Sequence, residues 1–306
     1  MSVRSRVRTR LLVCCVATVA ALGALVLAPT AGAAKLGNTY LALGDSLAYG
    51  YHAAQFQAEY PNINPASFND GYVDDFGAAL KLANPKLQVI NDGCPGETTE
   101  TMIKGSGIPF FCAGGPTGTP FPDVWLHHPY PAGGSQLADA EAILKANHNV
   151  SPITLDIGAN DALQACGPTK TCTPAQLGAL YAKIAGNVYI ILTKLRALSS
   201  AQIVLMGLYN PFPTVVPDAA TAALNAAEAS VAGKVSGVSF ANPLPLFNPS
   251  VITGGPETQD IPTICAFTAM CPGGVYNPAS PKADIHPTKL GYGVLAGVIT
   301  VDFLTH

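Results

Sequence analysis

Positive charge is scarce in this chain of 306 residues. It has 16 Lys and Arg residues against 19 Asp and Glu residues, and Arg196 is the single arginine after residue 33. Leaving out the four N-terminal arginines reduces the basic residues to 12 and makes the net charge of the remainder −7. Proteins that bind nucleic acid usually cluster Arg and Lys against the phosphates. The composition therefore predicts no nucleic-acid partner.

Three other patterns are absent from the sequence: a collagen-like repeat, the composition of a disordered chain, and cysteines spaced as metal ligands. Gly and Pro are frequent, at 30 and 26 residues, but they follow no G-x-y period, which excludes a collagen-like chain. A hydrophobic share of 49% excludes intrinsic disorder. No Cys-x-x-Cys pair occurs, and no histidine stands at ligand spacing from a pair of cysteines, so the sequence predicts no metal site.

The N-terminus has the pattern of an export signal. Four arginines up to Arg10 precede an apolar run of about 18 residues from Leu11 to Ala28, and Ala31-x-Ala33 fits the small-residue rule for cleavage. An uncleaved membrane anchor is the alternative, since the run is near the lower limit for a spanning helix. We expect cleavage after Ala33, secretion, no stable membrane span, and a single domain over residues 34–306.

The cysteines after residue 33 number six, and an even number in an exported chain is typical of disulfides. Fifteen ways of pairing six cysteines exist. Pairing the sequence neighbours closes short loops rich in Gly, Pro or Thr. The disulfides predicted in this way are Cys94–Cys112, Cys166–Cys172 and Cys265–Cys271.

Apolar strand-like runs alternate with longer helical stretches along the rest of the chain. The predicted strands are Thr39–Leu43, Leu87–Asn91, Ile153–Ile157, Gln202–Gly207 and Val238–Ala241. The predicted helices are Gly71–Leu82, Gln136–Ala146, Ala175–Leu198, Ala219–Ala232 and Leu290–Leu304. This alternation predicts an α/β fold with a parallel sheet covered by helices on both faces. Two long connections, 92–134 and 242–285, are rich in Gly and Pro and are predicted to be loops.

Three short motifs directly follow the first three predicted strands. They are Gly44-Asp45-Ser46-Leu47, the segment 93–98 that contains Gly96, and Gly158-Ala159-Asn160-Asp161. Because ligands bind outside the carboxyl ends of parallel strands, the three motifs are expected at one edge of the sheet. Each motif alone has a structural interpretation: Ser as a helix cap, Gly in a turn, and Asn and Asp as turn residues.

A fourth motif, Asp284-Ile285-His286-Pro287-Thr288, precedes the last predicted helix. A histidine there reaches the sheet edge and can act as general base to a serine. Ser46, Gly96, Asn160 and His286, in this order, resemble the GDSL or SGNH hydrolase family. The resemblance extends from Leu43 to about residue 295 and is closest to secreted bacterial GDSL lipases and esterases, which often carry three disulfides.

The resemblance implies a fold and a reaction. The fold is a three-layer α/β/α sandwich with a mainly parallel, flavodoxin-like sheet of five strands. The reaction is hydrolysis of carboxylic esters through an acyl-enzyme, with no metal and no organic cofactor. Ser46 is then the nucleophile and His286 the general base, while the Ser46 N–H, the Gly96 N–H and the Asn160 side chain form the oxyanion hole. Ser46 lacks a Gly-x-Ser-x-Gly setting, so it is not the nucleophile elbow of α/β-hydrolases.

One position departs from the family pattern. The family's acid usually stands three residues before the histidine, where this chain has Ala283, and Asp284 is only two residues before. Either Asp284 orients the imidazole from a shifted loop, or the backbone carbonyl of Ala283 accepts the His286 N–H in a Ser–His dyad. The spacing favours the dyad, which predicts that Asp284→Asn costs far less activity than His286→Ala.

The substrate and the partners are less specified. A lipid ester and an acylated polysaccharide both fit the resemblance, and a monomer is expected. Aromatic residues within 108–130, among them Trp125, favour acyl chains, although packing beneath a disulfide-linked loop explains them equally well. His127 and His128 could line a substrate cleft, but a solvated loop is the favoured interpretation. The alternative function is a non-catalytic exported carbohydrate-binding or cell-surface module, which the presence of Ser, Asn and His argues against.

Overall fold

A five-stranded parallel sheet forms the centre of the fold in the computed structural model, which describes residues 36–105, 111–112, 121–130, 134–168, 170 and 172–306. Its strands are β1 (Thr39–Gly44), β2 (Gln88–Asn91), β3 (Val150–Asp156), β4 (Ile203–Met206) and β5 (Val238–Ala241). They lie in the order β2-β1-β3-β4-β5, with every neighbouring pair parallel. This is the flavodoxin-like order, and it confirms the predicted fold class.

Helices surround the sheet. In chain order they are α1 (Ser46–Tyr49), α2 (Ala53–Glu59), α3 (Tyr72–Ala83), α4 (Thr99–Lys104), α5 (Gln136–Ala146), α6 (Ala159–Cys166), α7 (Pro174–Leu198), α8 (Asp218–Ala232), α9 (Leu244–Phe247), α10 (Ser250–Thr253), α11 (Ile261–Phe267) and α12 (Lys289–Thr305). The five helices predicted from sequence correspond to α3, α5, α7, α8 and α12, with ends that differ by at most one residue.

The two faces of the sheet carry separate apolar cores. Leu41 and Leu43 pack with residues of α5, α7 and α8, whereas Tyr40 and Ala42 pack with residues of α3 and α12. This division follows from the strand geometry, because successive side chains point to opposite faces. Every residue of β1 is buried, as expected for a central strand covered on both sides. The result is the predicted three-layer arrangement.

The predicted boundaries were wrong in two places. Strand β3 begins at Val150 rather than at Ile153, and Pro152 lies within it. The connections 92–134 and 242–285 contain the short helices α4, α9, α10 and α11. None of these helices exceeds seven residues, which is too short for a full amphipathic repeat to show in the sequence.

Two disulfides connect neighbouring elements. Cys166 at the end of α6 bonds Cys172 just before α7, and Cys265 in α11 bonds Cys271. Both pairs are the ones expected from sequence neighbours. The predicted pair Cys94–Cys112 involves the Cys112 side chain, which lies outside the described residues, as do the predicted export signal and its cleavage site.

Helix α7 is long and apolar enough to cross a membrane by length and composition. Its buried residues, such as Ile184 and Leu195, belong to the core beneath the sheet. On its other side, Lys183 Nζ lies 2.5 Å from Glu100 Oε2 in α4. These contacts are those of a helix that covers the sheet of a globular fold.

Candidate active site

Ser46 stands at the first position of α1, directly after β1. The N-cap of this helix is Asp45, whose Oδ1 accepts the Leu47 N–H at 3.0 Å. Asp45 therefore braces the turn. The Ser46 N–H has no acceptor among the described residues, so it is free to donate to a ligand at the start of the helix. Gly44 is required at the strand end, because a Cβ there would lie 2.4 Å from Asp156 Oδ1.

The loop after β2 is tied to this turn. The Cys94 N–H donates to the Gly44 carbonyl at 3.0 Å, which draws the loop toward the end of β1. Gly96 follows with φ +85°, a left-handed conformation that glycine adopts without strain. Its N–H also has no acceptor among the described residues. Gly96 thus offers a second free backbone donor.

The loop after β3 is tied to both of the others. Asn160 Nδ2 donates to Asp45 Oδ2 at 3.1 Å and to the Glu97 carbonyl at 3.0 Å. Asp161 accepts the Thr99 N–H at 2.8 Å and the Thr99 hydroxyl at 2.7 Å, so it braces α6 against α4. The three motifs predicted to share one sheet edge are therefore joined by direct hydrogen bonds.

His286 completes a relay of hydrogen bonds to Ser46. Its Nε2 lies 2.9 Å from Ser46 Oγ, and its Nδ1 lies 2.5 Å from Asp284 Oδ1. The preference for the Ala283 carbonyl is therefore wrong: the carboxylate of Asp284 occupies the position opposite Nδ1. The physical reason is local, since Asp284 Oδ1 also accepts the His286 backbone N–H at 3.1 Å. This turn brings a carboxylate two residues before the histidine against its ring.

The carboxylate of Asp284 is held in its ionised form. Burial alone raises the pKa of Asp284, but the charge of His286 and the hydrogen bonds from His286 and the Ala53 N–H outweigh it. The net effect places the pKa well below its usual range. The Ala53 bond, 2.9 Å to Oδ2, also fixes the second oxygen. The Tyr51 ring packs against the His286 imidazole at a ring-centroid distance of 4.6 Å. No sequence motif indicated this contact.

Several acids near the site are buried, and burial raises their pKa values. For Asp156 the effect is large: burial is the main cause, and Asp45 beside it adds to the shift because two like charges resist ionising together. Burial likewise raises the pKa of Asp45 and brings the pKa of Glu97 to about 8.

Glu228 on α8 is the most unusual of these acids. It is fully buried, and neither carboxyl oxygen has a hydrogen-bond partner within the described part of the chain. Burial, with the charges of Asp161 and Asp45, raises its pKa well above the usual range. An unfolded glutamate ionises near pH ~4.3. Above that pH the folded state binds more protons than the unfolded state, so the free energy of unfolding falls as pH rises, by at most ~1.4 kcal/mol per pH unit.

Glu228→Gln should remove this dependence. The free energy of unfolding of the variant minus that of the wild type should be larger at pH 8 than at pH 5, because the amide cannot ionise. Urea unfolding at both pH values measures the difference. Glu100→Gln is the control: salt bridges to Lys104 and Lys183 lower the pKa of this exposed acid to about 2, so its effect should be equal at both pH values. The same stability difference at pH 5 and 8 for Glu228→Gln would show that Glu228 ionises normally.

A cavity of about 380 Å³ opens beside Ser46 and His286. It extends from the sheet edge to the Cys166–Cys172 disulfide, between α6 and the start of α8. Most of the lining is apolar and includes Leu163, Leu208, Tyr209, Phe212, Val216 and Leu224. The lining residues from 208 to 217 follow β4, and the sequence interpretation missed them, although an apolar run at the carboxyl end of a strand was a usable signal.

Trp125, one of the aromatic residues expected to favour acyl chains, lies away from the cavity. Trp125 packs against Phe56 and Tyr60 at ring-centroid distances of 5.8 and 5.9 Å, and it does not line the cavity. Packing, the alternative interpretation, therefore accounts for Trp125. The side chains of Phe110, Phe111 and Phe121 lie outside the described residues.

Solved structures of several other proteins are similar to this chain. A lipase from a goat rumen metagenome is 16% identical and aligns over 86% of this chain and 96% of its own, with a TM-score of 0.52. A lipolytic protein of the G-D-S-L family from Veillonella parvula is 11% identical over 86% and 96%, with a TM-score of 0.47. Est24, a carbohydrate acetylesterase from Sinorhizobium meliloti, is 13% identical over 86% and 97%, with a TM-score of 0.45.

Comparison of sequences gives the family. No curated protein matches the chain. Residues 42–294, however, match the GDSL-like lipase/acylhydrolase family, and this range includes all four sequence motifs. The chain therefore belongs to the GDSL-like lipase/acylhydrolase family.

Proposed function

We propose that this protein is a secreted serine hydrolase that cleaves carboxylic esters carrying an apolar acyl chain. One observation carries the proposal: the hydrogen-bonded series Ser46, His286 and Asp284 opens directly on the apolar cavity. Membership of the family supports hydrolysis of an ester, and the apolar lining of the cavity supports an apolar acyl group.

In the proposed mechanism, Ser46 Oγ attacks the ester carbonyl carbon while His286 Nε2 takes the hydroxyl proton. The tetrahedral intermediate collapses, His286 gives the proton to the leaving alcohol, and the acyl group stays on Ser46. Water, activated by the same imidazole, then releases the acid. Asp284 holds the ring and stabilises the imidazolium that forms in each step.

The oxyanion hole is proposed to consist of two free backbone donors and one shared side chain. The N–H groups of Ser46 and Gly96 have no acceptor among the described residues, so they are ready to bind the developing charge. The Asn160 amide already bonds Asp45 and Glu97, so it contributes by sharing one of its N–H groups. Each donor of this kind is worth roughly 10²–10³ in kcat.

Hydrolysis of p-nitrophenyl esters from acetyl to palmitoyl tests the substrate class. We expect kcat/KM to rise from acetate to medium or long chains, because each methylene placed in the cavity contributes about 0.8 kcal/mol. A maximum at acetate would indicate an acetylesterase. No hydrolysis by folded protein would favour a narrower polysaccharide ester or a binding module.

A substitution in the cavity wall gives a sharper test. Ala220, at the start of α8, lines the cavity, and Ala220→Phe should fill part of it. The larger side chain would take the space of about two methylenes of the acyl chain. We therefore expect the octanoate-to-acetate ratio of kcat/KM to fall about tenfold. Ala179→Phe, on the exposed face of α7, is the matched control and should keep the wild-type ratio. An unchanged ratio in Ala220→Phe would place the acyl chain elsewhere.

Export and the monomeric state also remain proposals. The disulfides Cys166–Cys172 and Cys265–Cys271 are consistent with an oxidising compartment outside the cell. We propose removal of residues 1–33 during secretion. The mass of the exported protein tests the cleavage site, and its hydrodynamic size tests the monomer.

A further inference from the structure

A second cluster of polar side chains lies outside the proposed catalytic site. It contains Asp92, directly after β2, His128, in the segment 121–130, and Asp139, in the first turn of α5. Both acids are buried, at 0% and 5% exposure, whereas the His128 side chain is 40% exposed. His128 thus lies in a loop and is partly solvated, as interpreted from the sequence, but its ring also contacts two buried acids.

The hydrogen bonding within this cluster is incomplete. His128 Nδ1 lies 2.8 Å from Asp92 Oδ1 and 3.1 Å from Asp139 Oδ2, but a single ring nitrogen carries only one hydrogen. Asp92 Oδ2 and Asp139 Oδ2 have no hydrogen-bond partner within the described residues. A buried carboxylate oxygen without a donor is costly, and one imidazole hydrogen cannot serve both acids, so a cation shared by the three side chains would stabilise the cluster.

We propose that Asp92, His128 and Asp139 bind a divalent metal ion of the zinc class. One imidazole nitrogen and two carboxylates form a donor set that suits Zn²⁺. One ligand atom from each residue lies within 4.8 Å of the others. Tetrahedral bonds of ~2.1 Å need separations of about 3.4 Å, so small side-chain movements suffice. The exposed side of His128 leaves room for water as a fourth ligand and for entry of the ion.

The ion has a structural role in this proposal. The Tyr130 hydroxyl donates to the Asp92 carbonyl, and Gln136 Nε2 donates to Tyr130 Oη at 2.9 Å and to the Gly44 carbonyl at 2.8 Å. The ion would therefore fasten the segment 121–130 to the end of β2 and to α5, close to the strand end that carries Ser46. The sequence predicted no metal site because only ligands paired with cysteines were considered.

Titration of the metal-stripped protein with Zn²⁺ by isothermal calorimetry tests the site. We expect one ion per chain and a rise in melting temperature of roughly 5–10 °C at 100 times the dissociation constant. His128→Gln and Asp139→Asn should each weaken binding at least about 100-fold, because a direct ligand contributes more than the roughly 10–100-fold lost with a group that only supports a ligand. Because its side chain is half-exposed, His128→Gln is the variant expected to keep the fold.

The matched control is His52→Gln. His52 also faces a carboxylate, with Nε2 lying 3.1 Å from Asp70 Oδ1, but it has no third ligand in the described residues. This variant should bind Zn²⁺ like the wild type. Absence of binding by the wild type, equal affinity in His128→Gln, or loss of binding in His52→Gln would each overturn the proposal. The first result would leave the cluster as an imidazolium ion pair with two carboxylates.

Discussion

Ser46→Ala should lower kcat for p-nitrophenyl esters by about 10⁶-fold, the loss seen when a serine nucleophile is removed from a catalytic triad. The hydroxyl is the group that forms the covalent bond, and no other described side chain lies at hydrogen-bond distance from His286 Nε2. The remaining rate would come from the oxyanion hole and from binding. Steady-state kinetics at saturating ester measures the loss, and mass spectrometry shows whether an acyl group adds to the wild-type chain alone.

The matched control for this variant is Ser135→Ala. Ser135 is the N-cap of α5, where its Oγ accepts the Ala138 N–H at 3.2 Å, so its loss should lower stability by about 1 kcal/mol and leave kcat unchanged. Ser46→Ala should show the opposite pattern, with an unchanged melting temperature and no turnover. Equal activity in Ser46→Ala and the wild type would show that Ser46 is not the nucleophile.

The sheet could be predicted because its three central strands, β1, β3 and β4, are buried on both faces. The apolar runs around Leu41 and Leu205 have no alternation of polar residues, and the intervening helices are long enough to show an apolar face. Parallel strands place their carboxyl ends at one edge, so the positions of Ser46 and Asn160 followed from strand order alone. Secondary-structure propensity and the spacing of apolar residues were sufficient to predict the strands and the long helices that cover them.

Contacts between distant segments could not be predicted. The lining of the cavity joins residues near 163, 208 and 224, and nothing in the sequence states which apolar residues leave a space instead of filling it. The burial of Glu228 and Asp156 could not be predicted either, since acidic residues are exposed in most proteins. Asp92, His128 and Asp139 also come together only through the tertiary fold.

The acidic residue that contacts His286, Asp284, was also beyond prediction from the sequence, but the reason is different. Spacing along the chain places Ala283 where the family has its acid, but a side chain reaches farther than a backbone carbonyl. Asp284 bends back over two residues and accepts both N–H groups of His286, on the ring and on the backbone. A motif of residue types contains no information about such a turn.

Asp284→Asn should therefore lower kcat by about 10⁴-fold with little change in KM, as expected when an amide replaces the acid of a triad. In the folded protein Oδ1 faces two N–H groups of His286, and Oδ2 faces the Ala53 N–H. An amide has one oxygen, so in either orientation its NH₂ group meets a donor. The histidine then adopts the wrong tautomer or loses its orientation, and it no longer takes the Ser46 proton.

Asp70→Asn is the matched control, because Asp70 pairs with His52 in a similar carboxylate–imidazole contact outside the proposed catalytic residues. It should keep kcat within about twofold, as ordinary surface substitutions do. His286→Ala sets the lower limit of activity. A dyad based on the Ala283 carbonyl requires Asp284→Asn to stay close to the wild type. The expected result lies far nearer to His286→Ala, because the carboxylate and not the carbonyl contacts Nδ1.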